Sequence, residues 1–347
     1  MRPLATIFGL SGPKLSRGEA AFFRDSNPWG FILFARNIET PEQLRALCAS
    51  LRECVGRDAH IFIDQEGGRV RRLRPPQWQD YPSAQKLVDV YDYDRRKGLR
   101  ACYLHHRLMA NDLRAIGITA DCAPVLDLPV KGADPIISDR AFGRDAVSII
   151  SMAHAAMAGL VTGGVAPVIK HIPGHGRATV DSHKALPRIS AKKMQLKITD
   201  FLPFEALSDA PMAMTAHAVY ECSDRVSPVT ISKKALTELI RGDIGFDGLL
   251  MSDDLDMRAL HTGGMDGNLT VLTESALKAG CDIALQCSGK LPDMVKVAAG
   301  AKTLRGAAAK RAFIADNCAL RAKGLDAKTA RLEYEDLLET GRLEAVS

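Results

Sequence analysis

The sequence predicts a (β/α)8 barrel. Short, β-rich apolar runs recur eight times along the chain, longer segments with helical periodicity separate them, and ionisable residues gather at the C-terminal end of run after run. Alternating apolar strands and helices imply parallel βα units buried on both faces. A barrel builds its functional site from the loops at the C-terminal ends of its strands. The competing doubly wound open sheet would concentrate such residues at one switch point, whereas here they are spread around a ring.

The eight runs are, in order, 4–10 (LATIFGL), 30–35 (GFILFA), 60–64 (HIFID) and 118–128 (ITADCAPVLDL). They continue with 165–171 (VAPVIKH), 211–217 (PMAMTAH), 248–254 (GLLMSDD) and 281–287 (CDIALQC). Their polar ends carry Asp64 and Glu66, Asp127, Lys170 and His171, His217, and Asp253 and Asp254. Between them, PEQLRALCASLRECV and DAVSIISMAHAAMAGLVTGG show helical spacing, the second stopping at Gly163-Gly164. Ser232 is placed to cap a helix that closes near Gly245. From about residue 291 the chain is rich in Ala, Lys, Arg and Glu and reads as extra C-terminal helices on a single domain spanning 1–347; the barrel is allowed to be irregular.

Composition narrows the function. With 46% hydrophobic and 25% charged residues, 347 residues suffice for one barrel core. A net charge of +5 suits an anionic ligand but is far from the concentrated basic face of a nucleic-acid binder. No stretch reaches the ~18–20 apolar residues of a membrane span. The eight cysteines form no CxxC pair and several sit in apolar runs, so a reducing cytoplasm is expected.

Three stretches carry chemistry. In GLLMSDDLDM, successive strand side chains point to opposite faces, so Asp253 and Asp254 cannot both face the barrel mouth unless the strand has turned. A carboxylate there can serve as nucleophile, and a capping role is the alternative for either one. In IDQEGGRVRRLRP, two glycines let the backbone approach a ligand, and arginines follow at 69, 71, 72 and 74; a salt-bridge cluster is the alternative for at least two of them. In IKHIPGHGRATVDSH, the glycines form neither GxGxxG nor GK[ST], and the histidines match no HExxH spacing. Asp181 can orient His183, as in the orienting half of a triad, while no GxSxG elbow supplies a serine.

Taken together, IDQEGGRVRRL, SDRAFG, KHIPGHGRATVDSH, MTAHAVY and LIRGDIGFDGLLMSDDLDM resemble glycoside hydrolase family 3, and within it the single-domain bacterial β-N-acetylhexosaminidases of peptidoglycan recycling. The resemblance implies a retaining exo-β-N-acetylglucosaminidase that removes terminal non-reducing GlcNAc from peptidoglycan fragments (GlcNAc-anhydroMurNAc, with or without peptide). It implies Asp253 as nucleophile and His183 with Asp181 as the acid/base dyad. It further implies Asp64, Arg72, Arg140, Lys170, His171 and His217 as sugar-binding residues, with no metal and no cofactor. His175 is read as structural. The implied partner is a sugar or muropeptide, with neither nucleic acid nor membrane, and the oligomeric state is open between monomer and weak dimer. Departures from the family pattern are small: Ile172 where many relatives have Phe, Ala141 where Ser is common, and Arg177 at a variable loop position. A metal-dependent barrel hydrolase, a non-catalytic sugar binder and transfer to phosphate remain as rivals.

Overall fold

A computed structural model of the chain describes residues 2–261, 267–319 and 322–340. Among the described residues there are ten strands: β1 (Leu4–Phe8), β2 (Pro28–Leu33), β3 (His60–Ile63), β4 (Ala120–Asp121), β5 (Ala166–Ile172), β6 (Arg188–Ile189), β7 (Met212–Thr215), β8 (Val219–Tyr220), β9 (Leu249–Asp254) and β10 (Ile283–Gln286). Eight of them close into a parallel (β/α)8 barrel in the order β1-β2-β3-β4-β5-β7-β9-β10, and β10 pairs back onto β1. The short strands β6 and β8 form a separate parallel pair, Arg188 opposite Val219. Every expected apolar run contributes one barrel strand. The fourth is much shorter than its run, because Pro124 has no N–H to donate; beyond Asp121 the pairing continues as isolated bonds and one parallel bridge, Val125 to Lys170, in which Leu126 N–H donates to the Lys170 carbonyl (2.7 Å).

The two-residue period of a strand builds two cores at once. Leu249 and Met251 of β9, Ala166 and Val168 of β5, and Met212 and Met214 of β7 fill the barrel interior. Leu250, Ile169 and Ala213 point outward under the helices. Continuing the inward row by one step brings Lys170 and Asp253 to the C-terminal rim, and Asp64 follows Phe62 in the same way just past β3.

The helices start and stop where the sequence signals them. Thr40 caps the helix Pro41–Val55 and left-handed Gly56 (φ 65°) ends it; Asp145 caps Ala146–Thr162, which ends at Gly163. Ser232 does cap its helix, but after Ala235 the coil widens into a π-helix over Leu236–Asp243. The expected C-terminal helices are Leu291–Gly300, Gly306–Asn317 and Ala327–Thr340; residues 320–321 and 341–347 of that region lie outside the described residues. Ala312 and Ala315 join the interior core, so the second of these helices closes the N-terminal end of the barrel.

Candidate active site

The C-terminal rim of the barrel encloses a pocket of about 200 Å³ with one ionic and one apolar side. Lys170 is the centre of the ionic side. Its Nζ lies 3.0 Å from Asp64 Oδ1 and 2.6 Å from Glu66 Oε1. Arg72 Nη2 donates to Asp64 Oδ2 (2.8 Å), and Arg140 clamps Glu66 with two 2.8 Å bonds. Burial alone would raise both carboxyl pKa values, but the surrounding cations outweigh it: Glu66 is held at about 2, and Asp64 well below the usual carboxylate range. Burial would likewise lower the Lys170 pKa, and Asp64 and Glu66 instead hold it above its ordinary value. Three cations against two anions leave a fixed set of charged donors and acceptors suited to hydroxyl groups.

Local sequence explains this placement. Asp64 and Glu66 share a side of the chain beyond β3, while Gln65 between them is buried and accepts from the Arg72 and Leu73 amides (2.8 and 3.0 Å). That contact folds the Arg72 segment back over Asp64. Gly67 (φ 91°) has to be glycine, since a Cβ there would lie 2.3 Å from the Pro82 carbonyl oxygen.

Asp253 and Asp254 are the last two residues of β9; both reach the pocket because the register against β10 slips there, Leu285 pairing with Asp254 where Ile283 pairs with Met251. Burial would raise the Asp253 pKa, yet His217, His171, the Asp254 amide and His183 bring it below its ordinary value. Asp254 behaves oppositely. Burial, reinforced by the charges of Asp256 and Asp253, pushes it up to about 7, although its Oδ1 accepts from the amides of Asp256 (3.2 Å) and Cys287 (3.0 Å). Asp254 caps no helix: the next one, Arg258–Leu260, begins after Met257 without a side-chain cap, and the Asp254 carboxyl instead closes the turn to Asp256 and ties the end of β10 while lying on the pocket wall.

His171 Nδ1 lies 2.6 Å from Asp127 Oδ2, and Asp127 Oδ1 also accepts from the amides of His171 (3.2 Å) and His175 (2.6 Å). His183 is tied to Asp181 twice, through its amide (2.9 Å) and through Nδ1 (2.8 Å). Its ring lines the pocket while remaining 64% exposed. With Nδ1–H donated to Asp181, Nε2 is the nitrogen left for proton transfer. The base of this loop is fixed: Arg177 bonds Asp200 (2.7 Å), Asp134 N–H donates to the Ala178 carbonyl (2.8 Å), and the Tyr220 hydroxyl donates to the Gly174 carbonyl.

Of the residues expected from sequence, Asp64, Arg72, Arg140, Lys170, His171, His183 and Asp253 line this one pocket, with Asp181 directly behind His183. His217 departs from expectation. Its ring is buried one layer back, Nδ1 against the Thr230 hydroxyl (2.7 Å) and Nε2 against the Asp254 carbonyl (2.9 Å), so both nitrogens are committed within the protein. Three of the four arginines after Gly68 take the salt-bridge alternative: Arg69 pairs with Asp139, Arg71 with Asp80 and Arg72 with Asp64, leaving Arg74 without a carboxylate partner among the described residues.

Three residues of the site went unassigned in the sequence. Glu66 and Asp127 stood at strand ends, which was their only signal. His175, read as structural, does give its amide to Asp127, but its ring also lines the pocket and its Nε2 is buried without a partner. The apolar side (Ile32, Phe34, Met214, Leu285) had no sequence signal distinguishing it from core. Among the described residues, no three His, Cys, Asp or Glu side chains are grouped as metal ligands would be.

Comparison with known proteins agrees with this geometry. A family model described as "Glycosyl hydrolase family 3 N terminal domain" matches residues 8–313. The chain is 37% identical over 284 residues to a β-hexosaminidase from Alkalilimnicola ehrlichii, covering 81% of this chain and 80% of that one. It is 34% identical over 302 residues to a β-hexosaminidase from Pseudomonas aeruginosa, covering 84% and 85%. Its fold matches NagZ from Neisseria gonorrhoeae in complex with N-trifluoroacetyl-D-glucosamine, with a TM-score of 0.84, 30% identity, and coverage of 97% and 99%. The barrel, the rim carboxylates and the matching model together make this chain a glycoside hydrolase belonging to glycosyl hydrolase family 3.

Proposed function

We propose that this enzyme is a retaining exo-β-N-acetylglucosaminidase acting on terminal non-reducing GlcNAc of peptidoglycan fragments. The observation that carries the reading is the meeting of Asp253 and the Asp181-bound His183 on one pocket whose far side is the Asp64–Glu66–Lys170–Arg72–Arg140 cluster. The family membership supports the reaction class. The β-hexosaminidase names of the relatives, and the N-acylated glucosamine bound by the gonococcal NagZ, support the sugar.

In this mechanism the ionic cluster and His171 hold the sugar hydroxyls. His183 Nε2 donates a proton to the glycosidic oxygen as Asp253 attacks the anomeric carbon, and the glycosyl-enzyme ester forms as the aglycone leaves. His183, now neutral, takes a proton from water, and the resulting attack on the anomeric carbon releases the sugar and Asp253. The neighbouring carboxyls are tuned apart for this work. Asp253 is ionised and nucleophilic at neutral pH, while burial favours the uncharged form of Asp254 and so limits repulsion beside it. His217 contributes from behind, as a buried dipole and fixed backbone partner under the Asp253–Asp254 step. The exposed tip of an anchored loop lets His183 complete the site after substrate enters.

Arg74 is the rim cation left for an acidic muropeptide, so Arg74→Ala should raise KM on peptide-bearing substrate; an unchanged KM would remove it from the aglycone site. Eight free cysteines suit a reducing cytoplasm. Trapping with a mechanism-based 2-fluoro glycoside followed by peptide mapping tests the core of the proposal. Label on Asp253 is expected, and label on Asp254, or none, overturns the assignment. Hydrolysis of an aryl β-GlcNAc should persist after exhaustive chelation; its loss would favour a metal-dependent hydrolase.

A further inference from the structure

The C-terminal helix Ala327–Thr340 lies beyond the residues matched by the family model, yet it reaches toward the sugar-binding cluster through two buried side chains. Tyr334, 2% exposed, places its hydroxyl 2.7 Å from Nδ1 of His105, which is fully buried in the helix Arg95–Ala115. On the other edge of that ring, Nε2 is buried without a hydrogen bond of full geometry. It lies against the Glu66–Gly67 turn: the Glu66 carbonyl is the acceptor it faces, and a Cβ at Gly67 would come within 3.2 Å of it. Tyr81 braces the ring edge-on at 5.1 Å between centroids, with its own hydroxyl held by Asp112 at 2.8 Å. Glu66 in turn clamps Arg140 and Lys170. An interior position for two polar rings costs free energy that a plain packing contact would not require. What this arrangement supplies is a fixed height for the turn that carries Glu66.

We propose that Tyr334 and His105 are positioning residues which set the Glu66 turn, so that the C-terminal helix forms part of the sugar-binding unit; this rests on the reading of the Glu66 cluster as the sugar-binding wall. Neither residue lines the pocket. With Nδ1 accepting from the Tyr334 hydroxyl, the proton resides on Nε2, directed at the turn. Burial keeps the imidazole neutral by holding its pKa far below the ordinary value, so the relay is a neutral one.

The test uses the full chain and an aryl β-GlcNAc substrate, comparing kcat, KM and Tm. Tyr334→Phe removes one hydroxyl and should raise KM roughly five- to tenfold with kcat within about twofold, the scale of one lost buried hydrogen bond. Glu333→Gln breaks the bidentate pair of the same helix with Arg100 (2.7 Å each bond), a pair bonded to neither His105 nor the Glu66 turn, and should leave KM unchanged. His105→Gln keeps a donor near the Nε2 position and should hold KM closer to wild type than His105→Leu does. An unchanged KM in Tyr334→Phe overturns the proposal, as does an equal rise in Tyr334→Phe and Glu333→Gln, which would reduce the helix to general stability. Glu66→Gln separates the two levels. If it leaves KM unchanged, the reading of the cluster fails and the relay falls with it; if it raises KM while Tyr334→Phe does not, only the relay fails.

Discussion

Replacing Glu66 with glutamine tests the ionic wall most directly, because it removes one charge and hardly changes shape. Glu66, Lys170 and Arg140 have side chains 7%, 3% and 9% exposed, so little solvent screens the loss. The drop of the Glu66 pKa from 4.5 to about 2 is worth about 3 kcal/mol at 1.36 kcal/mol per pKa unit. The ~3–5 kcal/mol cost of breaking a buried ion pair agrees with that figure. With 347 residues the unfolding entropy is about 0.7 kcal/mol/K, so Tm should fall by about 4 °C at pH 7. The sign with pH follows from a depressed carboxyl pKa. The contribution is fully present above 4.5 and disappears as pH falls through about 2, so the Tm gap between variant and wild type should close over that interval. KM for an aryl β-GlcNAc should rise at least about tenfold, since Arg140 loses its bidentate anchor. Calorimetry across pH and steady-state kinetics measure both quantities. A Tm within 1 °C of wild type (about 1 kcal/mol or less) together with a KM within about twofold (a few tenths of a kcal/mol) would refute the reasoning.

Asp181→Asn keeps a partner for the His183 ring but removes the charge that supports the imidazolium; kcat should fall by roughly 10²-fold with KM little changed, and a KM-only effect would place the pair in binding instead. In Asp254, burial raises the carboxyl pKa from 3.8 to about 7, so the folded state holds its proton more tightly and stability declines as pH rises between those values. Asp254→Asn should flatten that decline, read as Tm against pH; an identical pH slope in the variant would show that Asp254 ionises without penalty. His175→Phe should raise KM severalfold without touching Tm by more than a few degrees, because it fills the same wall and removes only the unpartnered Nε2; an unchanged KM would return His175 to a purely structural role.

The sequence alone determined the barrel and placed most of the candidate residues at its C-terminal rim. Strand periodicity is a local property, and it carries Lys170 and Asp253 onto the inward row regardless of what surrounds them. The Asp181–His183 contact is equally local, spanning two residues. What the tertiary structure decided is which polar groups meet across the ring. Glu66 bonds Arg140, 74 positions away, and His217 reaches the Asp254 carbonyl, 37 positions away; no spacing rule constrains such pairs. The family resemblance implied a sugar contact for His217, yet the chain after β7 turns its ring behind the wall. The sequence allowed a salt-bridge cluster for at least two of the arginines after Gly68, but not which carboxylates they meet; those come from a distant loop as well as their own. Charge and periodicity are written residue by residue along a chain. Partnership between charges depends on closure of the barrel, which brings together the ends of eight separate strands.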